Sequence, residues 1–468
     1  MALSHNKLKF HVRTYGCQMN VHDTEKVSNL LLHEGWSAAA SEEKADLLLI
    51  NTCSIRDKAE HRLYSDLGLL SDWKKDKTPR VLGVGGCVAQ QEGDELLRRF
   101  KQVDFVFGTH NLRLVPDLVT AALLGQRKAQ IDTNKNPDRF DFPERHPDFE
   151  ERTPGRAFVT IMEGCDMFCR FCVVPLTRGR EISREWEAIL SEINSLARKG
   201  VVDVTLLGQT VNAYGRHDVK RGVMVEKGTK PFSDLIADIA RVEGIKRVRY
   251  TSPHPMFFDQ GLIAAHGSLP ELCPHVHLPL QSGSNHVLEL MRRRYDRETF
   301  GGLVQKLRES RKDLAITTDL IVGFPGESDL DFEETLEFVR DLRFVDSYSF
   351  KYSPRPGTPA KGDPGQVPAE VAQERLERLQ ALQGDLTLSY HRERVGSRTE
   401  VLITGPSRKG GSQWQGRDPY NRVVNFTGGA AEPPIGELVP IRVVEATPHS
   451  LIGEAFVPSV SLNEREIQ

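Results

Sequence analysis

The sequence contains no stretch of about 18 consecutive apolar residues, so it predicts no membrane-spanning helix. Its first residues also lack an apolar core of signal-peptide length, and a secretory signal is not expected. Neither sign of charge prevails, because 62 Lys and Arg residues are balanced by 65 Asp and Glu residues, leaving a formal net charge of −3. This balance excludes a uniformly basic nucleic-acid coat protein and an acidic tail protein, but not a local basic patch.

Cysteine is scarce and odd in number, with seven residues in a chain of 468. Without an expected export signal, a disulfide framework is not predicted, and reduced thiols that bind a metal or do chemistry fit better. The expected compartment is therefore the cytoplasm. A hydrophobic fraction of 39% and a charged fraction of 27% are ordinary for a globular protein and exclude a disordered chain.

The chain is too long for one compact core, and its patterns divide it into three blocks. Strand and helix patterns alternate in the first two blocks, which predicts the α/β class. We expect a doubly wound parallel sheet first, then a partial (β/α)6 barrel, since six units fall short of a closed barrel. Short strands between Gly and Pro turns in the third block predict a small antiparallel five-stranded β-barrel. The predicted boundaries are 7–132 (N-terminal domain), 133–154 (linker), 155–386 (core), 387–395 (end of a connecting helix), 396–458 (small barrel) and 459–468 (tail).

Three central cysteines, Cys165, Cys169 and Cys172, form a C-x3-C-x2-C loop after the first strand of the second block. Three thiolates on one tight loop can hold three irons of a [4Fe–4S] cube and leave the fourth iron open to a small molecule. A structural zinc site usually takes four protein ligands, and this loop holds no fourth Cys or His. A zinc site and incidental thiols stay as the alternatives.

Three outer cysteines, Cys17, Cys53 and Cys87, are 36 and 34 positions apart, and each follows a predicted strand. In a parallel sheet the carboxyl ends of the strands share one edge, so these thiols are expected to converge there. The glycines before Cys17 and Cys87 would let the backbone come close to a bulky ligand. This pattern predicts a second [4Fe–4S] cluster, and three buried structural cysteines are the alternative. Cys273 belongs to neither triplet and is expected to be a plain buried thiol.

Longer motifs surround both triplets. The central loop has the signature of radical S-adenosylmethionine enzymes, and residues 15–20 (YGCQMN), 51–53 (NTC) and 85–87 (GGC) resemble the N-terminal domain of methylthiotransferases. The runs at 171–181, 277–284, 321–327 and 352–358 recur in the same family. Over nearly its whole length the chain therefore resembles the radical S-adenosylmethionine methylthiotransferases, and their tRNA-modifying branch most of all. Thr210 and Leu176 depart from that branch, where Asn and an aromatic residue are usual.

The resemblance implies a specific reaction, in which a methylthio group is attached to C2 of an N6-isopentenyladenosine at position 37 of tRNA, beside the anticodon. It implies two molecules of S-adenosylmethionine, one as methyl donor to cluster-bound sulfur and one as the source of a 5′-deoxyadenosyl radical. It also implies two [4Fe–4S] clusters that face one another across a single cavity. The triplet Cys165, Cys169 and Cys172 would bind the radical-forming cluster, and Cys17, Cys53 and Cys87 the auxiliary cluster.

The resemblance also implies that several shorter motifs contact S-adenosylmethionine or RNA. Strand-end residues expected to contact S-adenosylmethionine are Gly208, Gln209, Asn212, Gln281, Ser284, Gly323, Phe324, Pro325 and Gly326. The last block resembles a TRAM domain, a small RNA-binding barrel. The expected RNA contacts are Arg178, Arg180, Arg408, Lys409 and Arg417. For the arginines after the central triplet, Arg178 and Arg180, two alternatives remain: they form a solvated charged face, or one of them contacts the cofactor carboxylate.

The implied partners are the anticodon stem-loop of tRNA, an electron donor of flavodoxin or ferredoxin type and a sulfur source. No membrane partner is expected, and a monomer is the default. Two other functions remain open: a methylthiotransferase acting on a ribosomal-protein aspartate, and a non-catalytic iron–sulfur protein that binds RNA. An electron carrier is better served by four thiolates per cluster, which argues against the last.

Overall fold

The computed structural model describes residues 8–54, 57–76, 80–149, 153–216, 231–407, 410, 413–428 and 434–455. Within these ranges, no helix has both the length and the apolar character needed to span a bilayer. The chain forms three successive bodies, and the predicted α/β class and its three-part architecture are confirmed.

The first body is a six-stranded parallel sheet in the order β2-β1-β3-β4-β5-β6. Alternate strand residues pack on opposite faces, because Leu47 and Leu49 lie in one apolar core and Leu48 and Ile50 in the other. Helices therefore cover both faces, which is the doubly wound arrangement. The strands are β1 (Lys9–Thr14), β2 (Ser37–Ala38), β3 (Leu47–Thr52), β4 (Val81–Gly86), β5 (Phe105–Phe107) and β6 (Lys128–Gln130). The helices are Gln18–His33, Asp57–Asp76, Cys87–Glu92, Asp94–Arg99 and Val115–Leu123.

The second body is a partial barrel of six parallel strands. The order is β7-β10-β11, then β12-β13-β14, and a single bridge between Val248 and Leu272 joins the two halves. Among the described residues β7 and β14 have no strand beyond them, so the barrel is open between these two edges. The strands are β7 (Arg156–Thr160), β10 (Asp203–Leu207), β11 (Arg247–Tyr250), β12 (His275–His277), β13 (Ala315–Val322) and β14 (Asp346–Lys351), with the short pair β8 (Met162–Glu163) and β9 (Ile182–Ser183) beside them. The helices are Val174–Thr177, Trp186–Arg198, Phe232–Ala240, Gln260–Ser268, Asn285–Leu290, Arg297–Ser310, Asp329–Leu342 and Ala369–Glu393.

The third body is a closed five-stranded barrel in the order β15-β16-β17-β19-β18. The expected antiparallel pairing is wrong at one place, because β17 and β19 pair in parallel. Closing a ring with an odd number of strands requires at least one parallel pair, and this pair supplies it. Phe426 is fully buried in its core. The strands are β15 (Arg398–Pro406), β16 (Gln413–Arg417), β17 (Val423–Thr427), β18 (Leu438–Ala446) and β19 (Leu451–Ala455).

The small barrel docks on the amino-terminal ends of the partial barrel's strands. Arg247, the first residue of β11, donates to the carbonyl oxygens of Arg417 and Glu400 at 3.1 and 2.8 Å. Arg249 donates to the carbonyl oxygens of Pro419 and Asp418 at 2.8 and 2.9 Å. Since these strands are parallel, the small barrel closes the floor of the partial barrel, and the carboxyl ends of the strands remain for the first body and the cysteine loop.

Candidate active site

The outer cysteines lie together at the carboxyl edge of the first sheet. Cys17 caps the helix Gln18–His33, Cys53 directly follows β3, and Cys87 opens the helix Cys87–Glu92 directly after β4. All three line one cavity of about 440 Å³. The parallel sheet thus brings together thiols that are far apart in sequence.

Two glycines allow this convergence, but not for the reason expected from the sequence. A Cβ on Gly16 (φ +120°) would lie 2.2 Å from Cys53 Cβ, and one on Gly86 (φ +93°) would lie 2.2 Å from the Thr52 carbonyl oxygen. The space that a side chain would need is therefore filled by the chain itself and not left for a ligand. The glycines let the ends of β1 and β4 close against the end of β3.

Two asparagines hold these strand ends in place. The Oδ1 atom of Asn20 accepts from the Cys17 amide at 3.3 Å and lies 3.4 Å from Cys17 Sγ, while its Nδ2 donates to the Thr52 carbonyl oxygen at 2.9 Å. Asn51 Nδ2 donates in turn to the Asn20 carbonyl oxygen at 2.9 Å. Both amides are buried, so this network fixes the backbone on either side of the thiols.

The central cysteine loop lies between β8 and the short helix Val174–Thr177. Cys165 and Cys169 are buried with Met167, and Phe171 packs beside them. Gly164 (φ +84°) lets the loop pass close to the Arg180 carbonyl oxygen, which a Cβ there would approach to 2.2 Å. The loop is thus a tight, apolar pocket around three thiols.

Two polar side chains contact these thiols. Thr210 Oγ1 lies 3.2 Å from Cys165 Sγ, and Arg293 Nη1 donates to Cys169 Sγ at 3.3 Å. The sequence marked Thr210 only as a departure from the tRNA-modifying branch, and it did not single out Arg293 as a contact of a thiol. Neither contact was expected, because each joins residues that are distant in sequence.

The thiols differ in their acidity, and burial raises the pKa of Cys87 in the outer triplet as it does for two thiols of the central loop. Burial raises the pKa of Cys165 to about 11 and that of Cys172 to about 12. The pKa of Cys17 is lowered to about 6, chiefly by a hydrogen bond from Cys53, with burial opposing this and the Arg178 charge assisting it. Cys165 and Cys172 must therefore lose their protons when a metal binds, whereas the lowered pKa of Cys17 favours its thiolate form.

Both donor sets fit an iron–sulfur cluster. Each consists of three soft thiol ligands in a tight frame. Arg293 donates to Cys169 in the central set, and the Arg178 charge helps to lower the pKa of Cys17 in the outer set. In the ranges given above, no three Cys, His, Asp or Glu side chains are arranged around a single metal ion. The thiolates of a cube bind three different irons and need not converge on one point.

A buried ion pair joins the two cysteine regions. Arg178, six residues after Cys172, donates to Asp23 Oδ2 at 2.6 Å, and the two side chains are only 3% and 1% exposed. Asp23 lies on the helix that begins after Cys17. The preceding turn is tied to the same body, because the His110 ring contacts the Arg178 carbonyl oxygen at 2.8 Å and Thr109 donates to the Thr177 carbonyl oxygen.

The cavity runs through the open barrel from the outer cysteines to the small barrel. Its upper wall includes Val174, Thr177 and Arg178, which follow the central loop, and Gln209, the neighbour of Thr210. The central thiols themselves do not line it. Its floor is formed by residues of both barrels: Arg156, Arg249, His275, Thr317, Arg417, Asn421 and Arg422.

The residues expected to contact S-adenosylmethionine fall into two groups. Gly208 and Gln209 line the cavity, and the Gln209 side chain accepts from the Gly164 amide. The others do not line it and make contacts within the fold. Among the polar candidates, the Asn212 side-chain amide pairs with the His254 backbone, and Ser284 caps the helix Asn285–Leu290 and donates to Asp331. Gln281 is buried, with φ +78°. In the run 323–326, the Gly323 amide donates to Glu327, the Phe324 ring packs against Phe171, Pro325 follows Phe324, and the Gly326 amide donates to the Gly365 carbonyl oxygen.

The residues expected to contact RNA lie at three separate places. Arg178 is buried on Asp23 in the cavity wall and is not on the outer surface. Arg180 is exposed, paired with Asp166, and its guanidinium lies 5.1 Å from the centre of the Phe168 ring. Arg417 lies on the cavity floor and donates to the Asn421 carbonyl oxygen at 2.7 Å. Arg408 and Lys409 lie outside the described residues.

Cys273 is buried, as expected, and belongs to neither triplet. Burial raises its pKa to about 11. It therefore serves as an internal control for the reactivity of the other thiols.

Removing one member of the buried ion pair should destabilise the contact between the first body and the barrel. Arg178→Met leaves Asp23 as an uncompensated buried charge, and we expect a loss of about 3–5 kcal/mol in the free energy of unfolding. Arg180→Met removes a mostly exposed guanidinium from the buried Asp166, which also accepts from the Glu181 amide, and should cost less than Arg178→Met. Urea unfolding of the cluster-free chain measures both variants. The double variant Asp23→Leu/Arg178→Met should recover most of the loss, and equal costs for Arg178→Met and Arg180→Met would contradict the role of the pair.

The difference in acidity should be visible in alkylation of the cluster-free chain. At pH 7 Cys17 is largely a thiolate and partly exposed, so iodoacetamide should label it well before Cys172 or Cys273. Peptide mass spectrometry over time gives the order of labelling. Equal labelling rates at Cys17 and Cys273 would contradict the assigned pKa directions.

Comparison with known proteins agrees with this three-part arrangement. Residues 9–108 match a family described as Uncharacterized protein family UPF0004, residues 159–339 match the Radical SAM superfamily, and residues 392–456 match the TRAM domain. The radical S-adenosylmethionine methyltransferase TsrM from Kitasatospora setae shares the fold, with a TM-score of 0.56 over 86% of this chain and 78% of that protein, at 14% identity.

Full-length relatives are much more similar in sequence. A tRNA-2-methylthio-N(6)-dimethylallyladenosine synthase from Geobacter metallireducens is 45% identical over 96% of this chain and 98% of the relative. Enzymes of the same name from Acidithiobacillus ferrooxidans and Streptomyces griseus are 44% and 42% identical, over 95% of this chain in each case and 96% and 87% of the relatives. This chain therefore belongs to the family of the tRNA-2-methylthio-N(6)-dimethylallyladenosine synthases.

Proposed function

We propose that this chain attaches a methylthio group to C2 of N6-dimethylallyladenosine at position 37 of tRNA, beside the anticodon. The observation that carries the proposal is the pair of three-thiol sites, one in the cavity and one directly behind its wall, joined by the buried Arg178–Asp23 pair. The names of the full-length relatives supply the substrate. Two thiol sites suit a reaction that needs both a radical and a sulfur atom.

Each triplet would hold one [4Fe–4S] cluster with an open iron. Cys165, Cys169 and Cys172 would hold the radical-forming cluster, and Cys17, Cys53 and Cys87 the auxiliary cluster that carries sulfur. When bound, the clusters and S-adenosylmethionine supply an adenosyl radical that attacks an unactivated C–H bond, and sulfur and methyl for the product. The Phe171 and Met167 side chains exclude water from the central loop, which protects such chemistry.

The chain's own residues position the reacting groups. Thr210 and Arg293 hold the sulfur atoms of Cys165 and Cys169, while the Asn20–Asn51 network holds the backbone at Cys17. Arg178 fixes the distance between the two loops and places a positive charge beside Cys17 and Cys87. Gly208 and Gln209 are the expected S-adenosylmethionine contacts that already line the cavity.

We further infer that residues of the partial barrel and of the TRAM barrel bind the RNA. Arg417 brings a guanidinium from the TRAM barrel onto the cavity floor, and Arg180 offers one on the outer surface beside the central loop. Arg408 and Lys409 remain sequence-based candidates in the same role. The three bodies correspond in this proposal to an auxiliary-cluster domain, a radical domain and an RNA-binding domain, with boundaries near 132, 155 and 396.

The remaining partners follow from the chemistry of the proposed reaction. Reducing the central cluster needs an electron donor of flavodoxin or ferredoxin type, and each product consumes sulfur from a separate source. The proposed compartment is the cytoplasm, which reduced thiols and a tRNA substrate support. We take the active unit to be a monomer.

Single-cysteine variants test the division of labour between the triplets. Cys165→Ala should abolish both the reductive formation of 5′-deoxyadenosine and the formation of methylthio product. Cys17→Ala should still form some 5′-deoxyadenosine but no methylthio product. Cys273→Ala is the matched control and should keep both. Anaerobic assays with N6-dimethylallyladenosine-containing tRNA, read by nucleoside mass spectrometry, give both quantities. Normal product from Cys17→Ala, or a methylthio mark on a ribosomal-protein aspartate in place of tRNA, would overturn the proposal.

The hydroxyl of Thr210 should tune the central cluster. A hydroxyl that donates to a cluster thiolate stabilises the reduced, more negative state, so Thr210→Val should lower the cluster's reduction potential by on the order of tens of millivolts. Thr210→Ser keeps the donor and should retain the original potential. Potentiometric titration followed by EPR measures both variants, and identical potentials for Val and Ser would show that the contact has no electronic role.

A further inference from the structure

The open edge of the barrel carries two exposed aromatic rings. Tyr348 and Phe350 alternate along β14, the last strand of the partial barrel, and they are 55% and 37% exposed. Both line the cavity that contains the outer cysteines. Ser347 and Ser349, the alternate residues of the same strand, face a groove beside the helix Ala369–Glu393. The two rings therefore point into the barrel, and the serines point away from it.

These rings are not part of an apolar core. The other large aromatics of the barrel, such as Phe300, Phe332 and Phe344, are buried at 2% exposure or less. The Tyr348 ring instead meets the edge of the His277 ring, with ring centres 5.9 Å apart. His277 is itself held by Asp319 at 3.3 Å and by Thr317 at 3.0 Å, so the support behind Tyr348 is polar.

Positive charge lies below the rings. Arg422 is paired with Asp346 at 2.8 Å, and Arg156 and Arg249 share Asp203. The Arg417 side chain makes hydrogen bonds only to Asn421 among those found in the described residues. Burial, together with neighbouring arginines, lowers the pKa of Arg417. The floor thus offers a guanidinium to an anion directly next to two free aromatic faces.

This combination is typical of a site for an unstacked nucleotide. Proteins that act on a single base remove it from the helical stack and hold it on aromatic side chains, while arginines neutralise the adjoining phosphate. Because the strands are parallel and their carboxyl ends face the cysteines, Phe350 lies about 7 Å nearer the cysteine edge than Tyr348. A base on Phe350 is thus nearer the outer thiols than one on Tyr348.

We propose that Tyr348 and Phe350 form the stacking platform for the target adenine and its neighbour, which enter through the open side of the barrel between β14 and β7. The inference rests on the proposed tRNA function and adds the residues that hold the substrate base. Phe350 stacks on the base that reacts, and Tyr348 stacks on the ribose or base next to it. The two positions set how far the base reaches towards the cysteines.

The test uses the reconstituted full chain and an anticodon stem-loop RNA that contains N6-dimethylallyladenosine. Phe350→Ala and Tyr348→Ala should each weaken RNA binding about 5- to 100-fold, the cost of one lost base–aromatic stack, and raise KM by a similar factor. Phe350→Tyr and Tyr348→Phe retain the ring and should stay within about twofold of the original chain. Ser349→Ala, on the same strand but facing away, is the matched control and should change neither quantity.

Fluorescence anisotropy gives the binding constant, and product formation gives KM and kcat. Formation of 5′-deoxyadenosine without RNA should be equal in all variants, which shows that the fold and the central cluster are intact. Alanine variants that bind and react like the original chain, or that lose affinity no more than Ser349→Ala, would overturn the platform. Failure of the proposed function is a different result, because the unaltered chain would then form no methylthio nucleoside at all.

Discussion

The buried ion pair between Arg178 and Asp23 is the contact on which the arrangement of the site depends. It is the place where the turn after the central cysteines meets the helix that begins after Cys17. A charge pair with almost no exposure has a strict geometry, because a displacement would separate the two charges where water cannot solvate them. The pair therefore fixes the separation between two loops that belong to different bodies of the protein.

Arg178 also affects the ionisation of the outer thiols, in addition to fixing the separation of the two loops. Its charge stabilises the thiolate form of Cys17, and it forms part of the wall between the cavity and the central loop. The outer triplet is open to the cavity and contains one thiol, Cys17, with a lowered pKa, whereas burial raises the pKa of Cys87, Cys165 and Cys172. In the proposed function the outer site takes an exchangeable ligand such as sulfur, and the central site holds a cluster that is shielded from water.

The cavity belongs to all three bodies. The first sheet supplies the outer cysteines, the partial barrel supplies the walls, and the small barrel supplies the floor through Arg417 and Asn421. The arginines Arg247 and Arg249 bind backbone carbonyl groups of the small barrel, so this domain is seated firmly and not tethered loosely. In the proposed function, the cavity then joins residues for RNA recognition on its floor to the outer cysteines.

Much of this organisation could be predicted from the sequence, because it depends on local patterns. Strand periodicity indicated the parallel sheet and the partial barrel, and the spacing of the outer cysteines indicated their common edge. The contacts of Asp23, Thr210 and Arg293 could not be predicted, since they join distant residues whose meeting depends on how separate elements pack. Likewise, Gly16 and Gly86 were recognised as close-approach positions, but only the structure shows that the approaching group is the end of β3.

The most direct test of the central claim is the magnetic interaction between two reduced clusters in the reconstituted chain, measured by pulsed EPR. We expect about eight irons per chain and two cluster signals that split one another through dipolar coupling. The coupling is expected because the two clusters would lie close together, on either side of Arg178. The splitting should vanish when Cys17, Cys53 and Cys87 are all replaced by Ala, leaving one uncoupled signal. A single cluster per chain, zinc in place of iron, or two signals without mutual splitting would contradict the account.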